Sequence, residues 1–368
     1  MNKRCIALLG MGHTNLEIAR RWIDSPLPDC RLVCISKFGF STYSGMLPGR
    51  LAGQFDAGEM EVRLAPLARR AGAELVLDEV VGLGPEQRTL CFAHRQPLAF
   101  DALSIGVGSM PAGWDDFDAP SLVPIKPMQT FVERLEERIG CCGATPRCVI
   151  VGGGVAGVEV ALCLDARLRG RGPAAPRLAI VTASDQIAEG LSEASRRTLR
   201  KVLAGRSIKV VTGLRVAGVD PSGVRDQHGR AEPADVIIWA TGAAPPPILS
   251  RLGLPTDERG FLATGPTLQS TGGAPIFAVG DAGTVLSDPA PKAGVFAVRQ
   301  ADTLWKNLRA IAAGEAPRAE FDPQAAFLKI LNTGQGRALL DYRGFCFHAR
   351  WCWLLKCWID RRFIRRYQ

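Results

Sequence analysis

A chain of 368 residues, 47% hydrophobic and 22% charged, has room for two ordinary domains and a short appendage, which excludes a disordered chain and a scaffold that needs disulfide or metal staples to fold. Its net charge of +9 is uneven: between Arg350 and Arg366 the bases Lys356, Arg361, Arg362 and Arg365 accompany the single acid Asp360, which reads as a local basic surface and not as a nucleic-acid-binding chain. The 11 cysteines show no C-x-x-C spacing and no pairing of pairs, which excludes a zinc framework and reads as the reduced thiols of a cytosolic protein.

The opening run through Leu9 imitates a signal peptide with its basic head, yet it breaks at Gly10 and suits a first β-strand better. No stretch reaches the roughly eighteen apolar residues of a membrane-spanning helix. Cys5–Leu9 leads into Gly10-Met-Gly12-His13-Thr-Asn15 and then a helical pattern through Leu16, Ile18, Ala19 and Trp22. Glycine is needed at 10 because the turn is tight. At 12 any Cβ would hold a pyrophosphate away from the amides of the helix start. Asn15 stands where the third glycine of the fingerprint belongs, so helix and strand are expected slightly further apart. The next strand, Arg31–Ile35, ends on Ser36, a neutral hydroxyl where a ribose-binding acid is usual.

Two further apolar strands, Asp101–Gly108 and Asp235–Gly242, end in small-residue turns suited to a crossing between domains. Between them Cys148–Val151 opens a complete second fingerprint, Gly152-Gly-Gly154-Val-Ala-Gly157-Val-Glu159. A glycine turn that binds nothing is the bland reading of either motif. Two of them, each between strand and helix, weigh against it. The strand Arg177–Val181 ends on Thr182 and Ala183, again without the acid that favours NADH; Asp185 is the substitute in reach, and no arginine follows immediately to hold a 2′-phosphate. Farther on, Pro275–Val279 closes on Gly280 and Asp281, a carboxylate able to accept hydrogen bonds from ribityl hydroxyls. In the tail, Trp351, Leu354, Leu355 and Trp358 fall at helical spacing, Ile359 and Phe363 extend that face, and Lys356 and the arginines occupy the remainder. Such a helix suits a membrane interface; docking of the aromatic face on the body or on a partner is the alternative.

On these motifs the chain resembles, from residue 5 to about 310, the two-dinucleotide-binding flavoproteins of the pyridine nucleotide-disulfide oxidoreductase superfamily. Tyr43-Ser-Gly-Met-Leu-Pro-Gly49, Lys292–Gln300 and Trp358–Phe363 are similar to type II NADH dehydrogenases and, more closely, to the flavoprotein module fused ahead of selenophosphate synthase, whose synthase part is not expected here. The resemblance implies an α/β fold of two nested Rossmann-like domains. An FAD domain would be formed by residues 1–110 and 241–315, an NAD(P)H domain by 111–240, and the C-terminal strands and membrane-surface helix by 316–368.

For the site, the resemblance implies FAD over Gly10, Gly12 and His13, with its ring near Ser44, Gly45 and Leu47. Ser36 would lie at the ribose, Val80 would meet the adenine through its backbone, Gly108 and Gly242 at the domain crossings would touch cofactor, and Gly280 would let the backbone come near the phosphate beside the ribityl partner Asp281. A helix begun near Lys292 would point its positive end at the ring edge where charge collects on reduction, and Lys292 would add to it. NAD(P)H would lie over Gly152, Gly154 and Gly157, with Glu159 orienting the nicotinamide. No metal is implied. Residues 40–49 lack a redox cysteine pair, and Cys163 sits where it would pack, so a dithiol relay is not expected. Val295 and Arg299 stand where quinone-facing glutamines are usual, leaving Gln300. The implied activity is NAD(P)H dehydrogenation through FAD to a quinone or other small acceptor, on the cytoplasmic face of the inner membrane. The alternatives are a sulfide:quinone reductase-like enzyme and a non-catalytic redox sensor or scaffold.

Overall fold

A computed structural model of the protein describes residues 3–172 and 175–368; Met1 and Asn2 of the opening run lie outside them. In chain order the elements that position the site are β1 (Arg4–Leu9), α1 (His13–Asp24), β2 (Cys30–Ser36), β3 (Glu74–Leu77), β4 (Ala102–Ile105), β5 (Met110–Pro111), β6 (Leu122–Pro124), β7 (Arg147–Val151), α2 (Val155–Arg169), β8 (Arg177–Val181), β9 (Lys209–Val211), β10 (Val236–Trp239), β11 (Ala243–Ala244), β12 (Ile276–Ala278) and α3 (Gly294–Ala312). A C-terminal group follows: β13 (Lys329–Asn332), β14 (Ala338–Tyr342), β15 (Phe345–Ala349) and α4 (Arg350–Ile364).

Two five-stranded parallel sheets carry the α/β fold that the glycine motifs imply. The first has the order β12-β4-β1-β2-β3 and the second β6-β10-β7-β8-β9. Their central strands are continuous apolar runs with almost no exposure from Cys5 to Leu9 and from Cys148 to Val151, as expected of strands covered on both faces. In each sheet the chain moves outward from the central strand on one side and then resumes on the other. That reversal opens a crevice at the carboxyl end of β1 and of β7, where both glycine turns lie. The two crossings pair as an antiparallel neck, Met110 with Ala244 and Pro111 with Ala243, so the second sheet is entered and left through adjacent backbones.

The tail is an antiparallel β13-β14-β15 sheet followed by α4. This helix is amphipathic in a different sense from the one expected. Cys352, Lys356, Asp360 and Ile364 form its inner face, while Trp351, Leu354 and Trp358 remain largely exposed. Lys356, expected among the arginines on the basic side of this helix, is instead buried in an i,i+4 pair with Asp360 at 2.9 Å. Phe363 turns inward as well, stacked on Tyr43 with ring centroids 4.5 Å apart. Among the described residues no helix is long and apolar enough to cross a membrane.

Candidate functional site

The first glycine turn is built by backbone proximity. Gly10 has φ +80°, and a Cβ there would come within 2.7 Å of the Gly106 carbonyl oxygen, which crosses from β4. At Gly12 the corresponding gap is 3.2 Å. Gly12 caps α1 with no side chain bonded to the helix start, so the first-turn N–H groups are left for an anion. Asn15, fully buried, replaces the third glycine and braces the turn. Its Nδ2 donates to the Gly10 carbonyl at 2.7 Å and its Oδ1 accepts from Ser104 Oγ at 2.7 Å.

The second turn follows the full fingerprint and closes harder. Gly152 has φ +125°, with no room for a Cβ beside the Ala240 carbonyl, and a Cβ at Gly157 would fall well inside the carbonyl oxygen of Gly152. At Gly154 a Cβ would meet nothing within 4 Å, and this residue caps a 15-residue helix with no side-chain cap. Open space in front of an uncapped helix start is what a pyrophosphate needs. Both turns therefore fit dinucleotides.

Beside the first turn, Gly280 (φ +60°) donates its N–H to Gln300 Oε1 at 2.6 Å, so this glutamine is committed to the turn. Asp281 follows, accepting from Ser109 Oγ at 2.7 Å and from Lys126 Nζ at 3.5 Å. Lys292 lines the same cleft as Gly280 and Asp281. Its ammonium donates to the Thr284 hydroxyl at 2.8 Å and to the Gly283 carbonyl, and it sits 4.1 Å from the centroid of Phe261. Burial lowers its pKa to about 8, opposed by Asp281 and Asp257. The start of α3 at Ala293 and Gly294 is uncapped too. A Cβ at Gly294 would lie 3.6 Å from His13 Nε2 and 3.7 Å from Ser44 Oγ, which brings two helix starts to one place.

His13 stands between them, 3.5 Å from Ser44 Oγ, its ring against Tyr43 and Phe363 at 5.5 and 5.8 Å. Burial holds its pKa down at about 4, so the imidazole is neutral near pH 7. Gly45 lends its carbonyl to Lys356 Nζ at 2.7 Å. Asp360 accepts from Tyr43 Oη at 3.2 Å. Glu159, on the second turn's helix, accepts from the Asn332 amide at 2.6 Å. Burial pushes its pKa up to about 7, against the pull of nearby Lys356. A chain of ionisable groups thus runs from α2 through α4 to the Tyr43–Gly45 loop.

The remaining expected residues fall at the edges of this arrangement. Ser36 accepts from the Phe38 amide at 3.1 Å and ends β2. The side chain of Val80 is buried in the first unit's core. Gly108 has φ +78° and open space at its Cβ position, and the Gly242 carbonyl accepts from the Ala112 amide at 2.7 Å. Burial drives the Cys163 thiol well up in pKa, and its Sγ donates to the Asn332 carbonyl, which leaves a packing thiol. Sequence reasoning missed Tyr43, Ser109, Lys126, Asn332 and the Lys356–Asp360 pair as parts of the site. The i,i+4 spacing of that pair was the one signal in view, and the same spacing marks any solvated helix face.

Comparison with known proteins is consistent with this geometry. The family model for pyridine nucleotide-disulphide oxidoreductases matches residues 7–301. The chain is similar to the demethylphylloquinone reductase NdbB of Synechocystis sp., at 34% identity over 138 residues, covering 37% of this chain and 33% of that protein. It is similar to the alternative NAD(P)H-ubiquinone oxidoreductase C1 of Arabidopsis thaliana, at 24% identity, covering 77% and 62%. The chain thus spans a third and about three fifths of the length of these two relatives. Among solved structures, the sulfide:quinone oxidoreductase of Aquifex aeolicus shares the fold with a TM-score of 0.80 at 17% identity, over 99% of this chain and 91% of that one. NDH2 of Plasmodium falciparum does so with a TM-score of 0.75 at 13% identity, over 99% and 97%.

Proposed function

Because the chain belongs to the pyridine nucleotide-disulphide oxidoreductase family, we propose that it is an FAD-dependent NAD(P)H dehydrogenase that passes electrons on to a quinone or other small acceptor. The observation that carries the reading is the pair of uncapped helix starts, each behind a turn with no room for a Cβ and each at the carboxyl end of a central parallel strand. Gly10 and Gly12 would hold the FAD pyrophosphate, Asp281 the ribityl hydroxyls, and Gly152, Gly154 and Gly157 the nicotinamide dinucleotide. When bound, the flavin supplies the centre that takes up hydride.

The protein's part is positioning. Glu159 orients the nicotinamide end from α2. The start of α3 offers free N–H groups to charge at the ring edge, and Lys292 adds fixed positive charge to the cleft it shares with Asp281. His13, Tyr43 and Phe363 wall the side facing α4 and exclude water there. The division at residues 110, 240 and 315 belongs to the same reading. Purified protein should be yellow, and anaerobic NADH should bleach it within seconds. Folded, colourless protein that refuses added flavin would sink the reading, and bound flavin that is not reduced would favour a sensor or scaffold. The sulfide:quinone alternative is weakened by Cys163, a buried thiol bonded to a carbonyl.

Localisation at a membrane surface is supported by one patch. Phe345, Phe347, Trp351, Leu354 and Trp358 are exposed together, and Arg361, Arg362, Arg365 and Arg366 are exposed on the same helix and just beyond it. Indoles favour the headgroup level and arginines meet anionic lipid. The cytoplasmic face of the inner membrane is the surface this composition suits.

A further inference from the structure

Asp281 is held asymmetrically. Both of its hydrogen bonds fall on Oδ2: Ser109 Oγ donates at 2.7 Å and Lys126 Nζ at 3.5 Å, while Lys126 also donates to Ser109 Oγ at 2.6 Å. Oδ1 accepts no hydrogen bond among the described residues. Ser109 is buried, and the side chains of Lys126 and Asp281 are only 25% and 19% exposed. The three therefore form a fixed triangle and not a surface ion pair. They also come from different parts of the fold. Asp281 follows β12 in the first sheet, Ser109 lies at the neck, and Lys126 follows β6, the edge strand of the second sheet.

We propose that Lys126 is a positioning residue for the flavin: reaching across from the nucleotide-side sheet, it saturates one oxygen of Asp281 and leaves the other turned over to a polyol hydroxyl. The inference rests on the functional reading above and adds a residue to it. A carboxylate with two free oxygens rotates and is solvated, so a ligand must order it on binding. A carboxylate already bonded on one oxygen is ordered beforehand, and its remaining lone pairs demand donors, which a ribityl chain supplies. The ammonium suits this task because it is a compact charge with three donors, able to serve Ser109 and Asp281 together. Since it belongs to the other sheet, it also makes flavin binding sensitive to how the nucleotide-side unit is seated.

The test is titration of FAD into flavin-stripped full-length protein, followed by quenching of FAD fluorescence. Lys126→Met should weaken binding about tenfold, the scale of one lost charge-assisted hydrogen bond. Lys126→Arg, which keeps charge and donors, should restore most of the affinity. A Met variant that binds as tightly as the parent overturns the proposal, and so do Met and Arg variants that lose affinity equally, because that pattern marks a space-filling role. Should the Met variant not fold, Lys126→Gln carries the same expectation, and parental affinity there overturns it. Parent protein that takes up no FAD at all brings down the functional reading together with this inference; a parent that binds and a Met variant that binds equally well bring down the inference alone.

Discussion

The two glycine turns reach the same end by different chemistry. In the second, Gly157 lets α2 lie directly on the Gly152 carbonyl, and the close contact is with backbone. In the first, Asn15 occupies that place and its carboxamide bonds the Gly10 carbonyl and Ser104 Oγ. Direct approach requires glycine, whereas a bridged approach requires a side chain with a donor and an acceptor in one plane. The third glycine of the fingerprint is thus one way to close the turn, and a buried amide that satisfies the carbonyl is another.

Gly157→Val should break the second turn most severely, because the new Cβ has no space that a side-chain shift could open. A loss of about 3 kcal/mol or more in urea unfolding is expected, with NADH binding abolished. A variant that unfolds like the parent would show that α2 can move off the strand. Asn15→Leu keeps the volume but strips the bridge, leaving the Gly10 carbonyl and the Ser104 hydroxyl short of partners. About 2 kcal/mol should be lost, and FAD affinity should fall while NADH binding to the second turn persists. Equal effects on both ligands would mean the turns are not independent.

The turns also differ in the sign of their pH response. Burial raises Glu159, beyond the second turn, from 4.5 to about 7. Its contribution to stability is full below pH 4.5 and is lost as pH rises toward 7. His13, within the first turn, is lowered by burial from 6.5 to about 4, so its contribution is full above pH 6.5 and is lost as pH falls toward 4. Glu159→Gln should flatten the stability profile on the neutral side and His13→Gln on the acid side, read by urea unfolding from pH 4 to 8. Profiles that shift uniformly would refute these assignments. The smallest effect on folding belongs to the outer face of α4. Replacing Trp351, Leu354 and Trp358 by Gln should change stability by under about 0.5 kcal/mol each, yet abolish co-sedimentation with anionic vesicles. Retained pelleting would end the membrane reading. Deleting the helix is a poorer test, because its inner face carries Lys356 and Asp360 into the site.

What the sequence made legible follows from locality. A strand, a glycine turn and a helix are contiguous, so both turns, their central strands and the Gly280–Asp281 step could be read from spacing alone. The wall formed by His13, Tyr43 and Phe363 could not, because Tyr43 and its hydrogen-bond partner Asp360 are 317 residues apart. Lys356 groups with the arginines in the sequence because a basic residue among arginines is ordinarily exposed. Its burial becomes intelligible only once the Gly45 carbonyl and the Asp360 carboxylate are seen to accept its hydrogen bonds. Lys126, a lone base in a loop, carried no pattern at all.

The neck of paired backbones at Met110–Pro111 and Ala243–Ala244 has a topological consequence. The segment it encloses begins and finishes about 5 Å apart, one strand spacing, so a tight turn could splice it out of its host or seal it into a circle. The outer unit, in contrast, is completed only after the ribosome has delivered both of its pieces. The nucleotide-side sheet can therefore assemble first during synthesis, while its host waits for β12.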